Sequence, residues 1–345
     1  MYRALGAPRA RIRPYAAGSP NYWGGTFRNA EPAVPFSARQ APDLFFAIVL
    51  RGNTGAPSRE VPLAVPLAPA AAAELAASWL GHSSVLVEVD GFRVLTDPVW
   101  SERVSPSSRL GPRRMHPVPV KVSQLQQIDA VVISHDHYDH LDRRTIRELV
   151  RLQPAPFVVP LGVGSHLRAW GVPVERIIEL DWNQDVTIGD LTVTCTPARH
   201  FSGRGLARNV TLWSSWVLRG PRHSVFFGGD TGYTDRFSEV GEKYGPFDLT
   251  LLPIGAYSEQ WPDVHMTPEE AVQTHCVLNG TPSNGVLLPI HWGTFNLGFH
   301  PWAEPIVRLM QAKEAQSVRS VVPMPGQRVD LLKPLPRNEW WLGVS

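Results

Sequence analysis

Six consecutive residues, His135 to His140, carry three imidazoles and two carboxylates. Each of these groups is costly to bury without a partner, so the run is a poor way to build a core and a good way to build a ligand set. On an extended loop leaving a strand, His135 and His137 project to one side, while Asp139 and His140 reach a second point nearby. That arrangement suits two adjacent cations rather than one. Three further polar residues share one local setting, just past an apolar strand: His200 after Thr192 to Pro197, Asp230 after Val225 to Gly229, and His291 after Val286 to Ile290. Sites are commonly assembled at such strand ends. A lone histidine there is more often held by a backbone carbonyl, but beside the cluster ligation becomes the better reading. With 2 cysteines and 12 histidines in the chain, any metal must be held by nitrogen and oxygen.

The elements that must position these residues are legible around them. At 345 residues the chain can bury a large core without disulfide or metal staples. A formal charge of +2 with no long run of one sign gives no footprint for nucleic acid. Val85 to Val89, Asp90-Gly91 and Phe92 to Leu95 read as a hairpin. Ala130 to Ser134 is a short strand running into the histidine cluster, and Asp142 caps a helix carrying Ile146, Leu149 and Val150. Further strands are expected at Phe157 to Val159, Leu191 to Cys195, Thr211 to Leu218, Ser224 to Phe227, Leu249 to Pro253 and Val286 to Ile290. Thr267-Pro268-Glu269-Glu270 is a capping box that opens another helix. Many strands, fewer helices and no repeat period predict an α/β sandwich, with two sheets inside and helices outside.

Residues 1–77 are rich in Pro, Gly and Ala and read as an N-terminal arm packed on or near the site, with 78–345 as the catalytic domain. Arg3, Arg9, Arg11 and Arg13 are not followed by an apolar stretch of secretory-signal length, so a cytoplasmic location is expected. The apolar runs Leu44 to Leu50 and Val61 to Ala73 fall short of the roughly 18–20 residues that span a membrane. They are expected to pack on the domain.

The pattern His-x-His-x-Asp-His, followed by separate His, Asp and His, resembles the metallo-β-lactamase superfamily. Leu95-Thr96-Asp97-Pro98, His135 to Asp142, Gly228-Gly229-Asp230-Thr231-Gly232-Tyr233, Gly245-Pro246-Phe247-Asp248, Pro253 to Tyr257 and Ile290 to Phe295 are similar to the N-acyl-phosphatidylethanolamine-hydrolysing phospholipase D family. The likeness covers residues from about 78 to 300, in the right order. It implies an αββα metallo-β-lactamase-like sandwich and two zinc ions, one on His135, His137 and His200, the other on Asp139, His140 and His291. Asp230 would bridge them. The same ligands suit iron or manganese. Two cations sharing one water lower its pKa towards neutrality and stabilise charge on a phosphodiester, which makes a phospholipase D-type phosphodiesterase the leading reading.

Three residues are expected in catalysis. Asp139 could accept a proton; Asp97 matches a polar family position and orients a ligand histidine, or else caps the turn before Pro98. His265 falls on a family histidine and would contact the phosphate or protonate the leaving alkoxide, or else simply enter the helix. Arg103, Arg109, Arg113, Arg114 and His116 read as a solvated loop in preference to a basic lip for an anionic headgroup. Trp79, Trp182, Trp213 and Trp216 are read as core or rim aromatics. His82 is placed in a strand as a structural residue, and His116, His166, His223, His275 and His300 receive no role. A lactonase or other small-substrate hydrolase of the same superfamily is the alternative, because identical metal sites serve different bonds. A nuclease or an inactive metal-binding scaffold ranks below it. The substrate is expected to be a small molecule or a phospholipid, and peripheral membrane contact and a homodimer both stay open.

Overall fold

The computed structural model describes residues 4–31, 54–65, 69–205 and 207–345. In chain order the elements are α1 (Arg9–Ala16), β1 (Tyr22–Trp23), β2 (Thr26–Phe27), β3 (Leu75–Gly81), β4 (Ser84–Val89), β5 (Phe92–Thr96), β6 (Ala130–Val132), α2 (Arg143–Leu152), β7 (Phe157–Pro160) and α3 (Gly164–Ala169). There follow β8 (Ile177–Leu180), β9 (Asp185–Ile188), β10 (Leu191–Thr196), β11 (Ser215–Arg219), β12 (Ser224–Phe227) and α4 (Arg236–Tyr244). The chain closes with β13 (Leu249–Pro253), α5 (Pro268–Asn279), β14 (Val286–Ile290), α6 (Glu304–Ala315) and β15 (Arg328–Asp330). One sheet runs β15-β3-β4-β5-β6-β7-β8 and the other β14-β13-β12-β11-β10-β9.

Side chains alternate across a strand, and here the alternation sorts them between two apolar layers. Val85, Val87, Val89 and Val94 enter the core between the sheets together with Val193, Cys195 and Leu218. Leu86, Leu95, Val131 and Phe157 point the other way and meet Ile146 and Leu149 of α2 and Leu167 of α3. Phe237 of α4, Val272 of α5 and Ile306 of α6 pack on the second sheet, which completes the αββα sandwich. Trp79, Trp182, Trp213 and Trp216 are all buried in this core. The caps form as expected: Asp142 accepts from the Arg144 amide, and Thr267 and Glu270 exchange bonds across the first turn of α5.

Two expectations shift. Of Thr211 to Leu218, only the part from Ser215 joins the sheet, because the Leu212 and Ser214 amides donate across the sandwich to Leu161 and Ser134. The arm holds a helix, α1, and the β1-β2 hairpin, and β3 begins at Leu75, ahead of residue 78. Arg3 and the run Leu44 to Leu50 lie outside the described residues, as do 66–68 of the second apolar run, whose Val61 is buried. No helix among the described residues is long and apolar enough to cross a membrane.

β5 pairs parallel with β6, and β12, β13 and β14 are parallel to one another. Their C-terminal ends bring Asp97, His135, Asp230 and His291 to one edge of the sandwich.

Candidate metal centre

Two groups of side chains meet there. In the first, Nδ1 of His137 lies 2.8 Å from Nε2 of His135 and 3.3 Å from Nε2 of His200. In the second, Oδ2 of Asp139 lies 3.4 Å from Nε2 of His140 and 3.6 Å from Nε2 of His291. Asp230 sits between the groups. Its Oδ2 is 3.0 Å from His140 and 3.1 Å from His291 on one side, and 3.9 Å from His135 and 3.8 Å from His200 on the other. All seven side chains expected as ligands from the sequence are therefore brought together.

The tautomers can be read from the partners behind each ring. Asp97 is fully buried, and its Oδ2 accepts from Nδ1 of His140 at 2.6 Å and from the Ser134 hydroxyl. Since that hydroxyl spends its proton on Asp97, its oxygen accepts from Nδ1 of His135 at 2.9 Å. Val264 O likewise takes the Nδ1 proton of His200 at 3.0 Å. Three Nε2 atoms thus face inward, with the opposite nitrogen engaged, which is how ligating histidines are usually held.

The inward atoms fit cations. Despite their short approach to Asp230, neither His140 Nε2 nor His291 Nε2 has the angle for a hydrogen bond, and Asp230 Oδ1 has no partner among the described residues. Orphaned buried polar atoms are expensive, and these converge. The ligand atoms of His135, His137 and His200 lie within 4.8 Å of one another, as do those of His82, Asp139, His140 and His291. An imidazole and carboxylate set of this kind suits zinc and other first-row divalent ions.

Charge points the same way. Burial drives His135 and His200 well below the ordinary histidine range, into the neutral form that ligates. Burial works against ionising Asp139 and Asp230, but the imidazoles around them, His140 foremost, outweigh it and hold both carboxyls well below the usual range. Burial also opposes a charge on His140 and His291; Asp230 and Asp139 overcome it, holding His140 well above the ordinary value and His291 up at about 9. Two ionised carboxylates side by side demand positive charge between them.

His265 stacks on His291 at 4.9 Å between ring centroids and lies edge-on to His200. It faces a cavity of about 690 Å³ that opens over the centre and is also lined by Asn29, Phe201, Arg208, Trp261 and Leu297. Asp136, in the middle of the cluster sequence, turns away to His166 Nε2 and the Gly203 amide, which gives the otherwise unassigned His166 a structural partner.

Two sequence expectations are corrected. His82 is not in a strand: Gly81 ends β3 at φ +108°, and His82, at φ +54°, makes the turn to β4 with Ser83. That turn delivers His82 Nε2 to Asp139 Oδ2 at 2.9 Å. The signal was present, since His82 also follows directly on an apolar strand. The segment of Arg114 and His116 is not solvated either. Both are buried; Arg114 lies over the Phe295 ring, and His116 bonds Thr294, whose hydroxyl accepts from the His82 amide. They buttress the His82 turn, while Arg109 and Arg113 remain exposed.

Comparison with known proteins agrees with this geometry. The family described as "Beta-lactamase superfamily domain" matches residues 92–292. The chain is 55% identical over 341 residues to an uncharacterised protein of Mycobacterium tuberculosis, covering 98% of this chain and 91% of that one. It is 40% identical over 255 residues to N-acyl-phosphatidylethanolamine-hydrolysing phospholipase D 1 of Caenorhabditis elegans, 70% of each chain. Among solved structures, the metallo hydrolase Igni18 of Ignicoccus hospitalis superposes with a TM-score of 0.57 at 23% identity, over 74% of this chain and 97% of that one. An isothiocyanate hydrolase from Delia radicum gut bacteria gives 0.58 at 18% identity, over 74% and 98%. At those identities the two structures speak to the fold alone.

Proposed function

The chain belongs to the β-lactamase superfamily domain family and is a metal-dependent hydrolase, and we propose that it is a dinuclear zinc phosphodiesterase of phospholipase D type, acting on an N-acylated phospholipid or a related diester. His135, His137 and His200 would hold one ion, Asp139, His140 and His291 the other, with Asp230 shared. When bound, the ions supply Lewis acidity: a water nucleophile near neutral pH and neutralisation of phosphoryl charge.

The chain's own residues do the rest. The water oxygen bonds to phosphorus as the phosphorus–oxygen bond to the amide-bearing alcohol breaks. Asp139, paired with His82, receives a proton from the water side. His265, on the cavity side of His291, gives one to the departing alkoxide. Phe201, Trp261 and Leu297 offer apolar walls to an acyl chain, and Arg208 on the same wall offers a positive charge to an anionic headgroup.

The observation that carries this reading is Asp230, whose single oxygen lies within 4 Å of imidazoles of both groups at the floor of the cavity. The likeness to the nematode phospholipase D supports the choice of bond. The test is a substrate panel on metal-loaded protein: an N-acyl-phosphatidylethanolamine, a chromogenic phosphodiester, a lactone and a β-lactam. Metal-dependent turnover of the lipid and the diester is expected. Turnover of the lactone alone would replace the phosphodiesterase reading with the lactonase one.

A further inference from the structure

The geometry points to Asn29, in the N-terminal arm, as a positioning residue for His200, and through it to a coupling between docking of the arm and occupancy of the metal centre. The inference rests on His200 being a ligand, as proposed above, and not on which bond the enzyme cleaves.

Asn29 grips the backbone of His200 from both sides. Its Nδ2 donates to the His200 carbonyl at 2.9 Å, and its Oδ1 accepts from the His200 amide at 3.1 Å. The same Oδ1 accepts from Trp213 Nε1 at 3.0 Å. Two N–H donors face one end of the side chain and a carbonyl the other, so the orientation of the amide is fixed by its partners. His200 lies past the end of β10, beyond the ladder that would otherwise pair it, and its backbone N–H and carbonyl have no other partner among the described residues. The residue is 2% exposed, so water is no substitute.

The ring is held separately, by Val264 O on Nδ1, which leaves Nε2 aimed at His137. Val264 fixes the rotation of the ring and Asn29 fixes the position of the backbone it hangs from. Aiming a short side chain needs both. Asn29 and His200 are 171 positions apart, so this contact exists only when the arm is docked. The dock extends beyond this contact: Ile12, Ala16 and Phe27 are buried, the Phe27 amide donates to Asn209 O at 2.7 Å, the Ala7 amide to His166 Nδ1 at 2.8 Å, Arg204 to the Ala4 carbonyl and the Thr234 hydroxyl to Glu31, and Asn29 is the part of it that reaches His200. Coupling between two equilibria is reciprocal. If the docked arm holds His200 in its ligating position, then an ion on His200 holds the arm docked.

Both directions can be measured on the full chain without any substrate. Zinc affinity is read by chelator competition, the cobalt-substituted protein by its visible absorption, and the arm by hydrogen exchange at the Phe27 amide. Asn29→Ala is expected to weaken one of the two zinc equivalents about 10- to 100-fold and to alter the cobalt spectrum, the range seen when a partner behind a ligand is lost. Asn29→Asp keeps both acceptor contacts but sets a carboxylate oxygen against the His200 carbonyl in place of the lost donor, so zinc affinity should fall in this variant as well. In the parent chain, removing zinc should speed exchange at Phe27. Parent-like zinc affinity in both variants, or exchange at Phe27 indifferent to zinc, would overturn the inference. Should Asn29→Ala fail to fold by circular dichroism, Asn29→Asp and the parent exchange measurement decide it. A parent chain that binds no zinc at all would sink the ligand reading of His200 along with it, whereas failure to cleave a phosphodiester would leave it standing.

Discussion

Asp97 and His140 are bound at 2.6 Å on the face of the imidazole turned away from the metal centre, and through the Ser134 hydroxyl the same carboxylate also fixes the ring of His135. One buried acid thereby orients a proposed ligand in each of the two groups.

Asp97→Asn tests this directly. An amide can still accept from the Ser134 backbone, but it cannot take protons from His140 and Ser134 with the strength of a carboxylate. Zinc affinity at both positions should fall about 10- to 100-fold by chelator competition. A variant that keeps both ions at parental affinity would reduce Asp97 to a turn residue before Pro98.

His265 should matter in proportion to how badly the leaving group needs a proton. His265→Ala is expected to cost about 10²- to 10⁴-fold in kcat on an alkyl diester and little on a nitrophenyl diester, with metal content unchanged. Equal losses on the two substrates would assign His265 to packing against His291 instead.

Asp90 makes a prediction about stability rather than catalysis. It stands in the β4-β5 turn, and its carboxylate takes the ring proton of His223 at 2.6 Å and the amides of Arg222 and His223 at 2.7 and 2.8 Å. This ties the hairpin of one sheet to the β11-β12 turn of the other. Burial favours the neutral acid, but His223 and the two amides outweigh it and hold the carboxyl below its ordinary value. A depressed folded pKa contributes stability that is present above the unfolded value of about 3.9 and lost as pH falls through the folded one. Asp90→Asn should therefore lower stability by about 1–2 kcal/mol at neutral pH in denaturant unfolding, with parent and variant converging as the medium is acidified below the carboxylate range. A gap that stays constant with pH would show that the charge contributes nothing.

The candidate ligands are legible because His135, His200, Asp230 and His291 each sit where hydrophobicity stops abruptly, with His137, Asp139 and His140 close behind the first. Apolar strands such as Val286 to Ile290 announce themselves, and a polar residue just beyond has few reasons to be there other than the site. The same rule would have found His82, had Gly81 been taken as the end of β3 rather than its middle. Asn29 was beyond reach, since its partner is 171 positions away and its role depends on the seating of a two-residue-stranded hairpin that carries no hydrophobic period. Arg114 misled for a related reason. Four arginines in a Ser/Pro-rich stretch look solvated, and only the tertiary packing of Phe295 and Thr294 reveals that one of them is buried beneath the centre.

The central claim, that the site breaks a phosphorus–oxygen bond with water, is tested most directly by running the hydrolysis of an N-acyl-phosphatidylethanolamine in ¹⁸O-labelled water and locating the label by mass spectrometry. One labelled oxygen in the phosphate of the released phosphatidic acid is the predicted result. Label in a freed fatty acid, with the phosphate unlabelled, would mean that the enzyme attacks an acyl carbon and would contradict the account.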